Sequence, residues 1–165
     1  MTDQIAPLAH VVAQMIRPKP GHRLLFAFDE LMAEPVIRER CPDPVFICTA
    51  RLTSRRFIVN SDGLASIVPR RDYVVHGIIW EVHDIALTCL SLQLGVPSIY
   101  DRFDAFARDP AGQLIVSKFF ATRNRQLGSA HPSYLSVIVD AARKWQFPES
   151  YVEELQGWDI DRQAA

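Results

Sequence analysis

Two adjacent carboxylates, Asp29 and Glu30, are the side chains of this sequence best placed to do chemistry. They directly follow a short apolar run, residues 24–28, of the kind that forms a buried strand. A carboxylate at the end of a strand can serve as a general acid or base. Acidic residues also stabilise the first turn of a helix, because they interact with the positive end of its dipole. The residues alone leave both interpretations open.

Tyr100 and Arg102 form a second candidate pair on a predicted strand that begins after a Gly-Val-Pro turn. Because alternate residues of a strand share a face, the two side chains could line one pocket, and a surface ion pair is the alternative. The histidines lack metal-ligand spacing, and no nucleotide-binding, serine hydrolase or zinc protease motif is present. The sequence therefore predicts neither a metal nor another cofactor.

Composition places the chain among ordinary globular proteins of single-domain length. It has 165 residues, 48% of them hydrophobic and 22% charged, and a formal net charge of −1. Balanced charge argues against nucleic-acid binding, and no apolar run is long enough to span a bilayer. Three widely spaced cysteines and the lack of a secretory signal predict reduced thiols in a cytoplasmic protein.

The hydrophobic periodicity predicts an α+β domain preceded by an N-terminal helical extension over residues 1–20. The domain covers residues 21–158, and a tail covers residues 159–165. Its predicted strands are residues 24–28, 45–52, 56–60, 64–68, 73–81, 99–107 and 113–122. Helices are expected at 84–94, with Ile85, Cys89 and Leu92 on the apolar face, at 135–145, and from Pro148 onward. Gly77 is expected where the chain is approached too closely for a side chain.

Short motifs along the chain occur in the same order as the motifs of one known protein superfamily. Leu25 to Met32 stand in the position of a Tyr-Phe-Ala-Tyr-Gly-Ser-Asn-Met motif, and Gly77 to Trp80 in that of Gly-Val-Val-Trp. Further matches lie at residues 41–42, 50–52, 57–60, 63–69, 132–135 and 147–151. From about Leu24 to Trp158 the chain thus resembles the γ-glutamyl cyclotransferase-like superfamily. The resemblance implies a small mixed β-barrel flanked by helices.

The same resemblance implies a reaction and a site. In that superfamily the α-amine of a γ-glutamyl group attacks its own γ-carbonyl and releases 5-oxoproline. A Glu before a Gly carries the proton, and backbone N–H groups of the Gly-Ser-Asn loop hold the substrate. The corresponding pocket in this chain would be lined by Phe28, Asp29, Glu30, Leu31, Leu94, Gly95, Tyr100, Arg102 and Tyr134.

Both parts of that machinery are altered here. Leu94 occupies the position of the proton-carrying Glu, and loss of a general base costs about 10²–10⁴ in rate. Asp29-Glu30-Leu31 replaces Gly-Ser-Asn, and a like charge at about 4 Å costs roughly 4 kcal/mol at an effective dielectric constant near 20. We therefore expect a pseudoenzyme that binds a cationic or neutral small molecule, or a basic protein segment.

Two alternatives stay open. A diverged amide-processing enzyme would use Asp29 or Glu30 as a relocated base. An assembly component would use the barrel only as a scaffold, with the N-terminal helix as a contact surface. The expected partners are a small-molecule ligand or a protein, with a homodimer as a further option and with neither nucleic acid nor membrane involved.

Overall fold

The fold is a closed barrel of five strands, seen in a computed structural model that describes residues 16–163. The strands are β1 (His22–Ala27), β2 (Val45–Val59), β3 (Ala65–His83), β4 (Tyr100–Arg108) and β5 (Leu114–Thr122). Their order around the barrel is β1-β3-β2-β4-β5. The β1–β5 pairing is parallel and the others are antiparallel, which confirms the predicted mixed barrel.

Helices accompany the barrel, as the α+β prediction requires. They are α1 (Glu34–Arg40), α2 (Asp84–Gln93), α3 (Pro132–Lys144), α4 (Glu149–Gln156) and the short α5 (Ile160–Gln163). A single 3₁₀ turn, Glu30–Met32, precedes α1. Within residues 16–163 no helix is long and apolar enough to cross a membrane. The predicted helix built on Ile5, Leu8, Val12 and Met15 lies outside the described residues.

Two of the predicted strand breaks are wrong. The predicted strands 45–52 and 56–60 fall in the single strand β2 (Val45–Val59), apart from residue 60, and 64–68 and 73–81 fall in the single strand β3 (Ala65–His83), apart from residue 64. A bulge lies between Thr53 and Arg55, where Ser54 has φ +57°, and Asp72 has φ +68° within β3. Bulges let a long strand bend around a small barrel without ending. Polar residues at these bends are also typical of turns, so the sequence pattern predicted that each strand would end there.

Helix α2 buries a different side from the predicted one. Its buried residues are Ala86, Leu87 and Leu90, whereas Ile85 and Leu92 are each 74% exposed. Apolar residues surround this helix on more than one side, so the 3.6-residue period alone does not identify the side that packs. Contact with β1 and β3 decides it.

Gly77 confirms the predicted close approach between β1 and β3. A Cβ atom at this position would lie 2.5 Å from the Ala27 carbonyl oxygen and 2.6 Å from the Phe26 ring. The Phe26 ring in turn packs against Phe28, which meets Phe57 edge to face. The space that a side chain would occupy at Gly77 is therefore filled by the aromatic core.

Candidate functional site

The acidic loop, residues 28–33, links β1 to α1 and holds both candidate carboxylates. The Asp29 Oδ1 atom accepts a hydrogen bond from the Leu31 backbone N–H at 3.0 Å. The backbone N–H groups of Met32 and Ala33 donate to the carbonyls of Asp29 and Glu30. Asp29 thus caps the 3₁₀ turn, which is the structural role that the sequence left open.

Two indole groups hold the backbone of the acidic loop from outside. Trp80 on β3 donates from Nε1 to the Leu31 carbonyl at 3.0 Å. Trp145, which directly follows α3, donates from Nε1 to the Met32 carbonyl at 3.0 Å. The two rings also meet edge to face, with centroids 6.1 Å apart. The loop conformation is therefore set by side chains distant in sequence.

Glu30 is tied to the start of β3 through a tyrosine. The Tyr134 hydroxyl donates to Glu30 Oε2 at 2.9 Å and accepts from the Ala65 backbone N–H at 3.2 Å. Burial, followed by the charges of Glu30 and Asp29, raises the pKa of Tyr134 well above its ordinary value. Tyr134 therefore remains a protonated donor, and it orients the carboxylate of Glu30.

Asp29 lies in an environment that disfavours its charge. Its side chain is only 8% exposed, and burial together with the neighbouring charge of Glu30 raises its pKa well above the usual value. The hydrogen bond from Leu31 and the charge of Arg40 oppose that rise in pKa. Asp29 consequently holds its proton to a higher pH than an exposed carboxyl group does.

Tyr100 belongs to the same cluster. It is buried, and desolvation followed by the charges of Asp29 and Glu30 raises its pKa well above the ordinary value. The fold thus brings Asp29, Glu30, Tyr100 and Tyr134 together from three separate regions of the sequence. This cluster pairs two carboxyl groups with two phenolic hydroxyls.

Arg102 does not share the environment of Tyr100, although the two residues are on the same strand. Arg102 is exposed, whereas Tyr100 is buried. The cation whose charge acts on both Asp29 and Tyr100 is Arg40, in the last turn of α1. Sequence analysis missed Arg40, since nothing in its spacing from Asp29 indicates that the chain returns to the carboxylate.

The remaining predicted pocket residues contribute packing. Phe28 and Leu31 are buried in the core, and Leu94 is partly buried against it. Gly95 has φ +71°, and a Cβ atom there would lie 3.1 Å from Ile99 Cδ1. Leu94, an aliphatic residue, occupies the position that the resemblance gives to the general base.

Access to the cluster depends on Glu30, because Asp29 is buried whereas Glu30 is partly exposed. Four surface cavities lie elsewhere along residues 16–163, and neither carboxylate lines any of the four. Within the same range, no three His, Cys, Asp or Glu side chains are grouped as a metal site requires. Glu30 is therefore the carboxylate of the cluster that solvent reaches.

Comparison with known proteins agrees with this architecture. Residues 74–155 match the model of the AIG2-like family. The structure is similar to that of a γ-glutamyl cyclotransferase, with a TM-score of 0.78 and 24% identity over 84% of this chain and 88% of that chain. The similarity confirms the fold that the resemblance to the γ-glutamyl cyclotransferase-like superfamily implied.

Other solved structures share the γ-glutamyl cyclotransferase-like fold. An uncharacterized protein from Homo sapiens has a TM-score of 0.78 and 24% identity over 84% of this chain and 89% of that chain. A γ-glutamyl cyclotransferase specific to glutathione from yeast has a TM-score of 0.57 and 10% identity, covering 86% and 97%. No curated protein sequence matches this chain. At these identities the similarity establishes the fold, and the chemistry must be argued from the residues.

Proposed function

We propose that this chain is a γ-glutamyl cyclotransferase-like protein without cyclotransferase activity, and that it binds a cationic or neutral ligand or a basic protein segment at the acidic loop. The observation that carries the proposal is the state of the candidate bases. Leu94 cannot accept a proton, and Asp29 and Glu30 are engaged by Leu31 and Tyr134.

The chemistry of cyclisation explains why the residues at Leu94 and in the acidic loop matter for activity. A base must remove a proton from the attacking α-amine before the amine can close on the γ-carbonyl. Burial and the charge of Glu30 raise the pKa of Asp29, so its ionised, proton-accepting form is less favoured than that of an exposed carboxyl group. Glu30 presents a negative charge to a substrate that itself carries a carboxylate. Both effects oppose turnover of an ordinary γ-glutamyl substrate.

The same groups suit a different ligand. Glu30 is partly exposed, and its carboxylate is oriented by the Tyr134 hydroxyl. A preformed carboxylate binds an ammonium or guanidinium group more readily than an anion, because the interaction is attractive and little reorganisation is needed. A basic side chain of a partner protein or a small amine would meet this requirement.

A diverged amide-processing enzyme is the second candidate. It is favoured by the raised pKa of Asp29 beside a second carboxyl group and two tyrosines, since acid–base sites commonly combine such groups. In that case Asp29 or Glu30 would carry the proton that the superfamily passes through a Glu at the position of Leu94.

The deciding experiment measures 5-oxoproline release from a panel of γ-glutamyl amides and dipeptides. We expect no release from wild-type protein shown to be folded by circular dichroism. Release that disappears in the Asp29→Asn/Glu30→Gln variant but persists in Asp72→Asn would overturn the proposal and establish the enzyme. Asp72 is an exposed carboxylate outside the acidic loop, so it serves as the matched control.

Binding is tested separately with labelled oligo-arginine and oligo-glutamate peptides. We expect fluorescence anisotropy to rise with oligo-arginine only, and Glu30→Gln to weaken that binding while the exposed control Glu149→Gln leaves it unchanged. Equal binding by Glu30→Gln would remove the acidic loop from consideration. The cytoplasmic location and a homodimer remain predictions from the sequence.

A further inference from the structure

A second feature of the molecule carries the opposite charge. A cavity of about 200 Å³ lies between β2, β3, the end of β4 and the segment that joins α3 to α4. We call it the basic cavity, and its lining includes Arg51, His76, Arg108, Trp145 and Phe147. None of these residues belongs to the acidic loop or to the tyrosines around it.

The basic residues of the cavity are brought together by strand register. Arg51 on β2 is directly opposite His76 on β3 and directly opposite Arg108 on β4. Like charges directly opposite one another on neighbouring strands destabilise a sheet. Burial and the charge of Arg51 also lower the pKa of His76. The fold therefore concentrates positive charge at this point at some cost to its own stability.

No carboxylate of the described chain pairs with these two arginines. The ion pairs among residues 16–163 involve neither Arg51 nor Arg108, and Arg108 donates from one terminal nitrogen to the Gly112 carbonyl at 2.9 Å. The Oδ1 atom of Asp109, the acidic residue next to Arg108 in sequence, accepts a hydrogen bond from the Gln113 N–H at 2.7 Å. Arg51 and Arg108 are thus without a carboxylate partner among residues 16–163, so an anionic group of a ligand could pair with both side chains.

Aromatic groups form the other wall of the basic cavity. Phe147 is buried, and Trp145 stacks on Phe46 with ring centroids 4.6 Å apart and planes 8° from parallel. Between them Gln146 has φ +59°, the left-handed conformation that ends α3, where the Phe147 N–H donates to the Ala142 carbonyl and the Gln146 N–H to the Arg143 carbonyl. The wall is thus flat and held in place before any ligand arrives.

We propose that the basic cavity binds a small organic anion, whose carboxylate or phosphate group is held by Arg51 and Arg108 and whose flat body packs against Trp145 and Phe147. Guanidinium groups match the planar or branched oxygens of such anions and remain charged at all physiological pH values. This site is independent of the proposed function of the acidic loop, and either can fail without the other.

The test titrates ¹⁵N-labelled protein with benzoate, phenyl phosphate and neutral benzyl alcohol at constant ionic strength, following the indole N–H signals by NMR. We expect saturable shifts of the Trp145 signal with one or both anions and not with the alcohol. Arg51→Gln and Arg108→Gln should each weaken binding at least about tenfold. Arg125→Gln, which removes an exposed arginine outside the cavity, should leave it unchanged.

Several outcomes would overturn the inference. They are the absence of saturable shifts with either anion, unchanged binding in both Arg51→Gln and Arg108→Gln, or binding of benzyl alcohol as tight as that of the anions. Saturation by benzoate alone would assign a carboxylate ligand, and saturation by phenyl phosphate alone a phosphate. Arg108 is exposed at the end of its strand, so Arg108→Gln keeps the test valid if Arg51→Gln does not fold.

Discussion

At the scale of the residue, the neighbouring carboxylates of Asp29 and Glu30 have different structural roles. Asp29 is buried and caps a 3₁₀ turn, whereas Glu30 is partly exposed and bonded to Tyr134. Burial raises the pKa of Asp29, so its ionised form is less favourable in the folded state than in the unfolded chain. The stability that Asp29 contributes is fully present below its unfolded pKa, near 4, and is lost as the pH rises through the raised folded pKa.

Asp29→Asn should therefore stabilise the protein at pH 7. The amide oxygen still accepts from the Leu31 N–H, while the buried charge is absent. The gain in unfolding free energy should shrink as the pH falls through 4, since Asp29 then becomes protonated in the unfolded chain as well. Urea unfolding at pH 7 and pH 4 measures this gain in unfolding free energy, with Asp72→Asn as the exposed control. A lower stability of Asp29→Asn at pH 7, or a difference independent of pH, would contradict this account.

At the scale of the element, α2 shows how a helix selects one side for packing. Leu90 is fully buried, while Leu92, on the same helix, is 74% exposed. Both are leucines, and the residues between β3 and β4 contain apolar side chains on several faces. Only the packing of α2 against β1 and β3 determines that Leu90 is buried and Leu92 exposed.

The two leucines make a matched pair for mutation. Leu90→Ala should lower the free energy of unfolding by about 2–5 kcal/mol, because it removes buried atoms and leaves a cavity. Leu92→Ala should change it by no more than about 0.5 kcal/mol. Chemical denaturation of both variants measures the difference. A larger loss for Leu92→Ala than for Leu90→Ala would show that α2 packs through the face predicted from its sequence.

At the scale of the whole molecule, one core joins barrel and helices. Trp80 on β3, Trp145 after α3 and Trp158 after α4 all pack into or against this core. Trp145 also links the two candidate sites, since it lines the basic cavity and donates to the Met32 carbonyl of the acidic loop. The acidic loop and the basic cavity thus share one structural support.

A shared core predicts a single unfolding transition. Tryptophan fluorescence reports on β3 and on the ends of α3 and α4, and far-ultraviolet circular dichroism reports on the barrel and helices together. In urea the two signals should give the same midpoint and the same slope. Separate midpoints for fluorescence and circular dichroism would show that the helices unfold independently of the barrel.

Local features were predictable from the sequence because they depend on neighbouring residues. The β4–β5 hairpin, the amphipathic face of α3 and the close approach at Gly77 all agree with the structure. The order of motifs also indicated the barrel. The unbroken course of β2 and β3 was not predicted, because bulges imitate turns in a sequence.

Contacts between distant residues were decided only by the tertiary structure. Tyr134 reaches Glu30 across 104 positions, Arg40 acts on Asp29 where Arg102 was expected, and Arg51 meets Arg108. Periodicity and turn signals report which face of an element is apolar. They do not report the register in which strands close a barrel, and that register brings these charges together.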